Sequence, residues 1–455
     1  MLSGVLPNRI FAGAMLRKRL VGSARRSHHQ VVRAALIGGR GGFHGGAQKS
    51  RGGLMMPVRN LSSSNAESKG KRNSDGSSSV FHSDAGDIGA GSSTIRTQLL
   101  LNDHLTQFGR EHDWRGLIQF ARENFSAFDA VNWTTTFVKL GTIPKPRNFI
   151  AKDDGFRELM AAFDRRVEKE GVRWLKARGL SNIMYGMGAL KVASSKLLSR
   201  LNESCCEAIV QEGSCQDIVI LAYTLAKLDT SHETARRYLS TFEKVGGVER
   251  LLEEGNSQDF AHMSWATATT RHDRPGALAR AIDTEEVARM IAWEGSPQSI
   301  SNTIWGMAKL RQQVPTLAAE IEQEKVANKL VTTGRPQAIS NTFWAMAMLG
   351  HKAPVLASKI ETEGGAQKLV REGNSLNILR TLWAMAKLGH SCPVLIEEIE
   401  NGGGARRIVE EGFPQHISRA LWAVNTLGFE APMLREAISK RRGQKVRGLA
   451  RDNKR

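Results

Sequence analysis

Cysteine is scarce in this 455-residue chain, with four residues: Cys205, Cys206, Cys215 and Cys392. None has the spacing of a zinc-ligand pair, and adjacent Cys205 and Cys206 are poorly placed to bridge each other. A disulfide framework is therefore excluded, and reduced, buried thiols of a non-secretory compartment are expected. No run of about eighteen apolar residues exists, so no membrane span is expected. Apolar alternation of period two is absent, which argues against sheet. There is no HExxH, no GxSxG and no P-loop. The expectation is a scaffold that is not an enzyme and that holds no cofactor. Aromatic residues make up only 6% of the chain, but nine of them are tryptophan, and most of these recur at regular intervals.

Acidic residues are missing from the first 66 positions, which carry eleven Lys/Arg. Residues 435–455 carry nine Lys/Arg against Glu436 and Asp452. The formal charge of +19 thus sits at the two ends, and residues 67–434, with 44 basic and 43 acidic side chains, net +1. Such a body does not by itself demand a polyanionic partner.

Residues 1–66 read as an organelle transit peptide, rich in Arg, Ser, Gly and Ala. The stretch Arg9–Arg26 can form a short amphipathic helix whose Arg17, Lys18 and Arg19 interrupt any secretory core. A mitochondrial matrix presequence fits it, and a chloroplast transit peptide is the alternative. Within it, GGRGGFHGGAQKSRGG (38–53) reads as flexible low-complexity sequence. Residues 67–94, dense in Ser and Gly, are expected to be a disordered linker. The tail 435–455 is expected to touch phosphate non-specifically.

Between them lies a repeat. SPQSISNTIWGMAKL, RPQAISNTFWAMAML, NSLNILRTLWAMAKL and FPQHISRALWAVNTL superpose, with Trp305, Trp344, Trp383 and Trp422 each 39 residues apart. Weaker copies centre on Trp265, Tyr223 and Tyr185, and a first copy aligns Thr135 with the aromatic column. The fold class that follows is all-α, an alpha-alpha superhelix (solenoid) of about eight helical hairpins of about 39 residues over 95–434. The first arm ends at Leu-Gly (Gly141, Gly350, Gly389, Gly428) and the second opens at proline (Pro315, Pro354, Pro393, Pro432). The paired glycines Gly364–Gly365 and Gly402–Gly404 should kink or split the second arm. Counting the aromatic residue as position zero, Ile300, Ile339, Ile378 and Ile417 stand at minus five. Met307, Met346 and Met385 stand at plus two. These build one apolar helix face, and the tryptophans are expected to join it as core.

A second stripe varies. Position minus three is Asn132, Asn182, Ile220, His262, Asn302, Asn341, Arg380 and Arg419. Position minus six includes Asp217, Asp259, Ser299, Asn377 and His416. Plus one is small (Gly186, Ala266, Gly306, Ala345, Ala384), and plus four is often lysine (Lys227, Lys309, Lys387, and Lys139 in the first copy). Amides pair with base edges and cations neutralise phosphate, so this stripe is the candidate RNA-binding surface. The asparagines could equally hold neighbouring hairpins together.

ISNTIWGMAKL, ISNTFWAMAML and LRTLWAMAKLG resemble the octotricopeptide repeat family, and the resemblance spans most of 95–434. It implies organellar, sequence-selective binding of single-stranded RNA along the inner helices, in transcript stability, processing, splicing or translation. It leaves room for protein partners in a ribonucleoprotein complex. The chain departs from the family in having one proline or none before the first arm (Pro297, Pro336, Pro414). GGAQKLVREGNSLNILRTLWAMAKLG also resembles an armadillo unit, which implies a groove where Asn182, Asn302 and Asn341 hold an extended peptide. A basic groove would favour nucleic acid and a neutral or acidic one peptide.

Overall fold

The structure, a computed structural model, describes residues 88–441 apart from 145–146, 230 and 274. The expected transit peptide with its glycine-arginine segment, the linker up to residue 87 and the tail beyond 441 lie outside the described residues. Every regular element among the described residues is helical. The first helix, Ile88–Arg110, begins inside the expected linker. Residues 435–441 of the expected tail belong to a helix as well. No helix among the described residues is long and apolar enough to cross a membrane.

Eight helices pack side by side in chain order, each on the next, as in an α-solenoid. They are α1 (Ala130–Thr142), α2 (Lys176–Leu190), α3 (Cys215–Leu228) and α4 (Ser257–Thr270), followed by α5 (Pro297–Leu310), α6 (Pro336–Leu349), α7 (Ser375–Leu388) and α8 (Pro414–Thr426). Their starts are written locally. Ser214, Asn256, Ser296 and Asn374 accept from backbone N–H groups of the first turn, and proline opens α5, α6 and α8. An unsatisfied first turn exposes N–H donors that these residues cover. At the far end Gly350 and Gly389 adopt φ of 76° and 73°, and the next residue returns an N–H into the helix. That closure needs a left-handed residue.

The second arm is split more widely than the paired glycines suggested. Behind α5 stand Pro315–Ile321 and Glu324–Thr333, and behind α6 stand Pro354–Thr362 and Gly365–Glu372. Gly364 and Gly403 make the break with φ of 73° and 85°. Behind α5 no glycine is present and the chain still turns, at Glu322–Gln323. From α2 to α7 each row helix is thus followed by two shorter ones, the second of which behind α4 ends in a π-helical turn, Met290–Glu294.

Ile300, Ile339, Ile378, Met307, Met346 and Met385 are fully buried, as their spacing requires. Removing a side chain of this size from water contributes about 1.5–3 kcal/mol, but only once a neighbouring unit covers it.

Charged residues fasten one unit to the next at both ends of the short helices. Asp283, Glu322, Glu361 and Glu400 each accept from two N–H groups opening the following unit's second helix, as Glu361 does from Val394 at 2.8 Å and Leu395 at 3.2 Å. In the reverse direction, Lys329 Nζ donates to the carbonyls of Ala292, Trp293 and Gly295 at 2.8–2.9 Å. Lys368 donates to Val331, Thr332 and Gly334. Arg407 and Arg441 repeat the contact one and two units on. Carboxylates thus meet helix N-termini and cations meet C-termini, the favourable sense for both dipoles.

Candidate nucleic-acid interface

A row helix in contact with a helix on each side and a pair behind it has one open stripe. Burial places that stripe at minus seven, minus three, zero and plus four, which recur every three to four residues. It differs from the expected stripe in two of its columns.

Plus one is not open. Gly306 lies against α4, where an added Cβ would stand 2.7 Å from the Ser264 carbonyl oxygen, and at Gly186 it would stand 2.3 Å from that of Phe137. Residues at plus one are small because two backbones approach there, not because a ligand needs room.

Minus six is spent on helix starts. Asp217, Asp259 and Asn377 complete reciprocal caps with Ser214, Asn256 and Asn374, and Ser299 closes on Ser296 at 2.9 Å. The same column ties neighbouring row helices together: Ser181 Oγ donates to Asp217 at 2.9 Å, and Asn377 Nδ2 donates to Ser340 Oγ at 3.1 Å. Burial raises the Asp259 carboxyl above the usual range. His416 is half-buried beside Phe413.

Asn132 corrects the register of the first copy. It completes a cap with Asp129 and donates to the Gln98 carbonyl at 3.1 Å, and it is fully buried. It therefore occupies the minus-six place, three residues from the position its alignment suggested. In α1 the open stripe is Val131, Thr135, Val138 and Thr142, and Lys139 turns toward Gly109 of the first helix. Burial, with Arg110 nearby, lowers the Lys139 pKa.

Minus three is on the stripe, but two of its asparagines are covered. Asn302 and Asn341 are each 5% exposed. Asn302 accepts from Gln298 at 2.7 Å, and Asn341 accepts from Arg380 of the next helix. Asn182 is half-buried, Arg380 lies over the Trp344 ring at 5.7 Å, and Arg419 is exposed. His262 packs its ring 4.7 Å from that of Tyr223, and desolvation lowers its pKa to about 4, so it is neutral near pH 7. Lys227, Lys309 and Lys387 at plus four are all exposed.

The tryptophans are the main correction. Trp265, Trp305, Trp344 and Trp383 are half-buried and Trp422 is exposed, so the aromatic column forms the centre of the open stripe. Tyr223 meets Trp265 at 4.8 Å, and Lys309 lies over Trp305 at 5.8 Å. Minus five and plus two are fully buried in α5–α7, whereas Trp265, Trp344 and Trp383 pack against that core only from its edge. A glutamine column at minus seven was also missed: Gln216, Gln258, Gln298, Gln337 and Gln415. The recurring Pro-Gln of SPQ, RPQ and FPQ carried that signal.

Over the eight helices the stripe holds six Lys/Arg (Arg178, Lys227, Lys309, Arg380, Lys387, Arg419) and no Asp or Glu. The near-neutral body therefore carries a face with cations of one sign, amides and aromatic rings.

Of the four thiols, Cys206, Cys215 and Cys392 are buried, with pKa values pushed up to about 12, mainly by desolvation. Cys205 is only half-buried. No group of three His, Cys, Asp or Glu among the described residues is placed to hold a metal ion. No protein-family model matches the chain, and no curated protein matches it in sequence.

Proposed function

We propose that the protein is a sequence-selective scaffold for single-stranded RNA, binding along the open stripe of α1–α8 and acting in organellar RNA metabolism. The observation that carries this reading is the stripe itself, six cations without an acid beside a column of aromatic rings. Phosphate affinity needs the first, and unstacked bases need the second. Each row helix with its following pair is read as one of about eight units of about 39 residues, similar to octotricopeptide repeats. The acid-free leader favours the mitochondrial matrix, with the plastid as alternative.

The accessible selectors are Gln258, Gln337, Gln415 and Arg419, rather than the covered Asn302 and Asn341 and the half-buried Arg380 that is bonded to Asn341. Carboxamides and guanidinium groups match base edges in bidentate fashion, which is why variation along these columns can encode sequence.

One observation favours a second reading, an armadillo-like solenoid holding an extended peptide: the units carry three helices, a format known for armadillo repeats. Crosslinking and sequencing of RNA bound to the tagged protein in its own cells separates the two. Discrete footprints on one or a few organellar transcripts are expected. Recovery of a protein partner with RNA at background would replace the RNA reading with the peptide one.

A further inference from the structure

Seven non-glycine residues adopt positive φ among the described residues, and three of them share one place. Lys191, Arg271 and Arg311 each follow the last residue of a row helix, α2, α4 and α5, with φ of 59°, 53° and 57°. In α6 and α7 the same place is held by Gly350 and Gly389. Glycine takes this conformation without cost, whereas a side chain bearing a Cβ is crowded there. Lysine and arginine are not turn formers, so the turn does not explain their presence. All three are exposed, and none makes a side-chain hydrogen bond or ion pair with another described residue. They stand two residues beyond the plus-four column, on the rim formed by the C-terminal ends of the row helices. A cation near a helix C-terminus is favourable, but a residue of the last turn supplies it without positive φ, as Lys309 does in α5, so the choice of the strained position points to a further use of these side chains.

On the same three helices the aromatic column, Tyr185, Trp265 and Trp305, stands six residues before that rim, between one and two turns away. A half-buried ring already held in place loses little freedom when a base covers it. We propose that a single RNA strand lies along the row with its bases stacked on this aromatic column and its phosphates on the rim formed by Lys191, Arg271 and Arg311. The inference rests on the RNA reading above and adds to it the orientation of the strand: phosphates toward the C-terminal ends of the row helices, bases toward their glutamines. The rim cations also explain how a structure with three lysines at plus four could bind phosphate along several successive units.

The test compares the full chain with the triple variant Lys191→Gly/Arg271→Gly/Arg311→Gly, using an oligouridylate of about thirty nucleotides, one nucleotide or more per unit with overhang. The expected result has three parts. The melting temperature of the variant is unchanged or raised, because glycine relieves the strained turn. Its affinity falls about tenfold or more at moderate salt, and the slope of log affinity against log salt drops by about 2, three phosphates at about 0.7 each. The wild-type complex at saturation shows quenched tryptophan emission, and a duplex of the same length binds without that quenching, since its bases are already stacked. Unchanged affinity and slope in a folded variant would overturn the inference while leaving the RNA reading intact, as would unquenched emission at saturation. A wild-type chain that ignores the oligouridylate and instead takes up an acidic peptide would overturn both.

Discussion

The molecule uses lysine and arginine in two periodic columns that the sequence does not distinguish. Along the third-helix seam, Lys329, Lys368 and Arg407 reach into the preceding unit and donate to its carbonyls. On the open stripe, Lys309 and Lys387 are exposed and make no such bonds. The seam cations neutralise helix C-termini, and the carboxylates of Glu322 and Glu361 do the same for N-termini. A near-zero body charge therefore says little about the face available to a ligand, because many of the acids are spent elsewhere. What matters is which charges are left over, and where.

Reversing the charge of the stripe would break this comparison most directly. The triple variant Lys309→Glu/Lys387→Glu/Arg419→Glu should lose about a hundredfold in affinity for single-stranded RNA at about 0.1 M salt, with a salt slope lower by about 2. Its thermal melting should stay at the wild-type value, because these side chains hold no other unit. Filter binding over a salt series beside a melting curve checks both halves.

The seam should behave in the opposite way. Lys368→Met with Arg407→Met removes charged donors from carbonyls at two junctions, at about 1–3 kcal/mol each. Chemical denaturation should show the loss, while the folded fraction keeps its RNA affinity. A seam variant that binds RNA weakly yet melts normally would erase the distinction.

Gly306→Val tests whether plus one belongs to packing. Its Cβ would stand 2.7 Å from the Ser264 carbonyl oxygen, so the helices must separate. Overpacking of this kind costs about 1–3 kcal/mol, and a denaturation midpoint should report it. A fully stable variant with altered RNA selectivity would return that position to the ligand.

The smallest effect uses pH. His262, held neutral by desolvation with a pKa of about 4, is protonated more readily in the unfolded chain, whose ordinary value is 6.5. Between those values the unfolded state binds more protons, so this contribution is fully present above about pH 6.5 and is lost as pH falls toward 4. By pH 5.5 the loss should already be on the order of 1–2 kcal/mol, and His262→Gln should flatten that part of the stability profile. RNA affinity should change little from pH 7 to 5.5, since the ring adds no charge to the stripe in that window.

The repeat made much of this legible. Ile300, Met307 and their counterparts were readable as core because their spacing puts them on one helix face. The proline that opens the second arm behind α5, α6 and α7 and the glycine after α6 and α7 are local signals. The open stripe was read only in part. Lys309, Lys387 and Arg419 were recognised, but Asp217, Asp259, Ser299 and Asn377 have polar side chains consumed by helix starts. The tryptophans were misplaced because large aromatic residues at helical spacing have the pattern of core whether or not a neighbour covers them. Asn132 shows the same weakness in another form, since without an aromatic anchor its copy aligned three residues out of register.

The sequence by itself determined that this chain forms a row of helices, and that aliphatic residues such as Ile300, Met307 and their counterparts cannot face water. Those are consequences of periodicity and of bonds within a few residues. Only the tertiary structure decided which remaining face is open, because a helix presents several polar stripes and the neighbours choose among them. Small residues at plus one let two backbones meet, the polar groups at minus six were taken up by caps and by the neighbouring row helix, and the aromatic column was left facing outward.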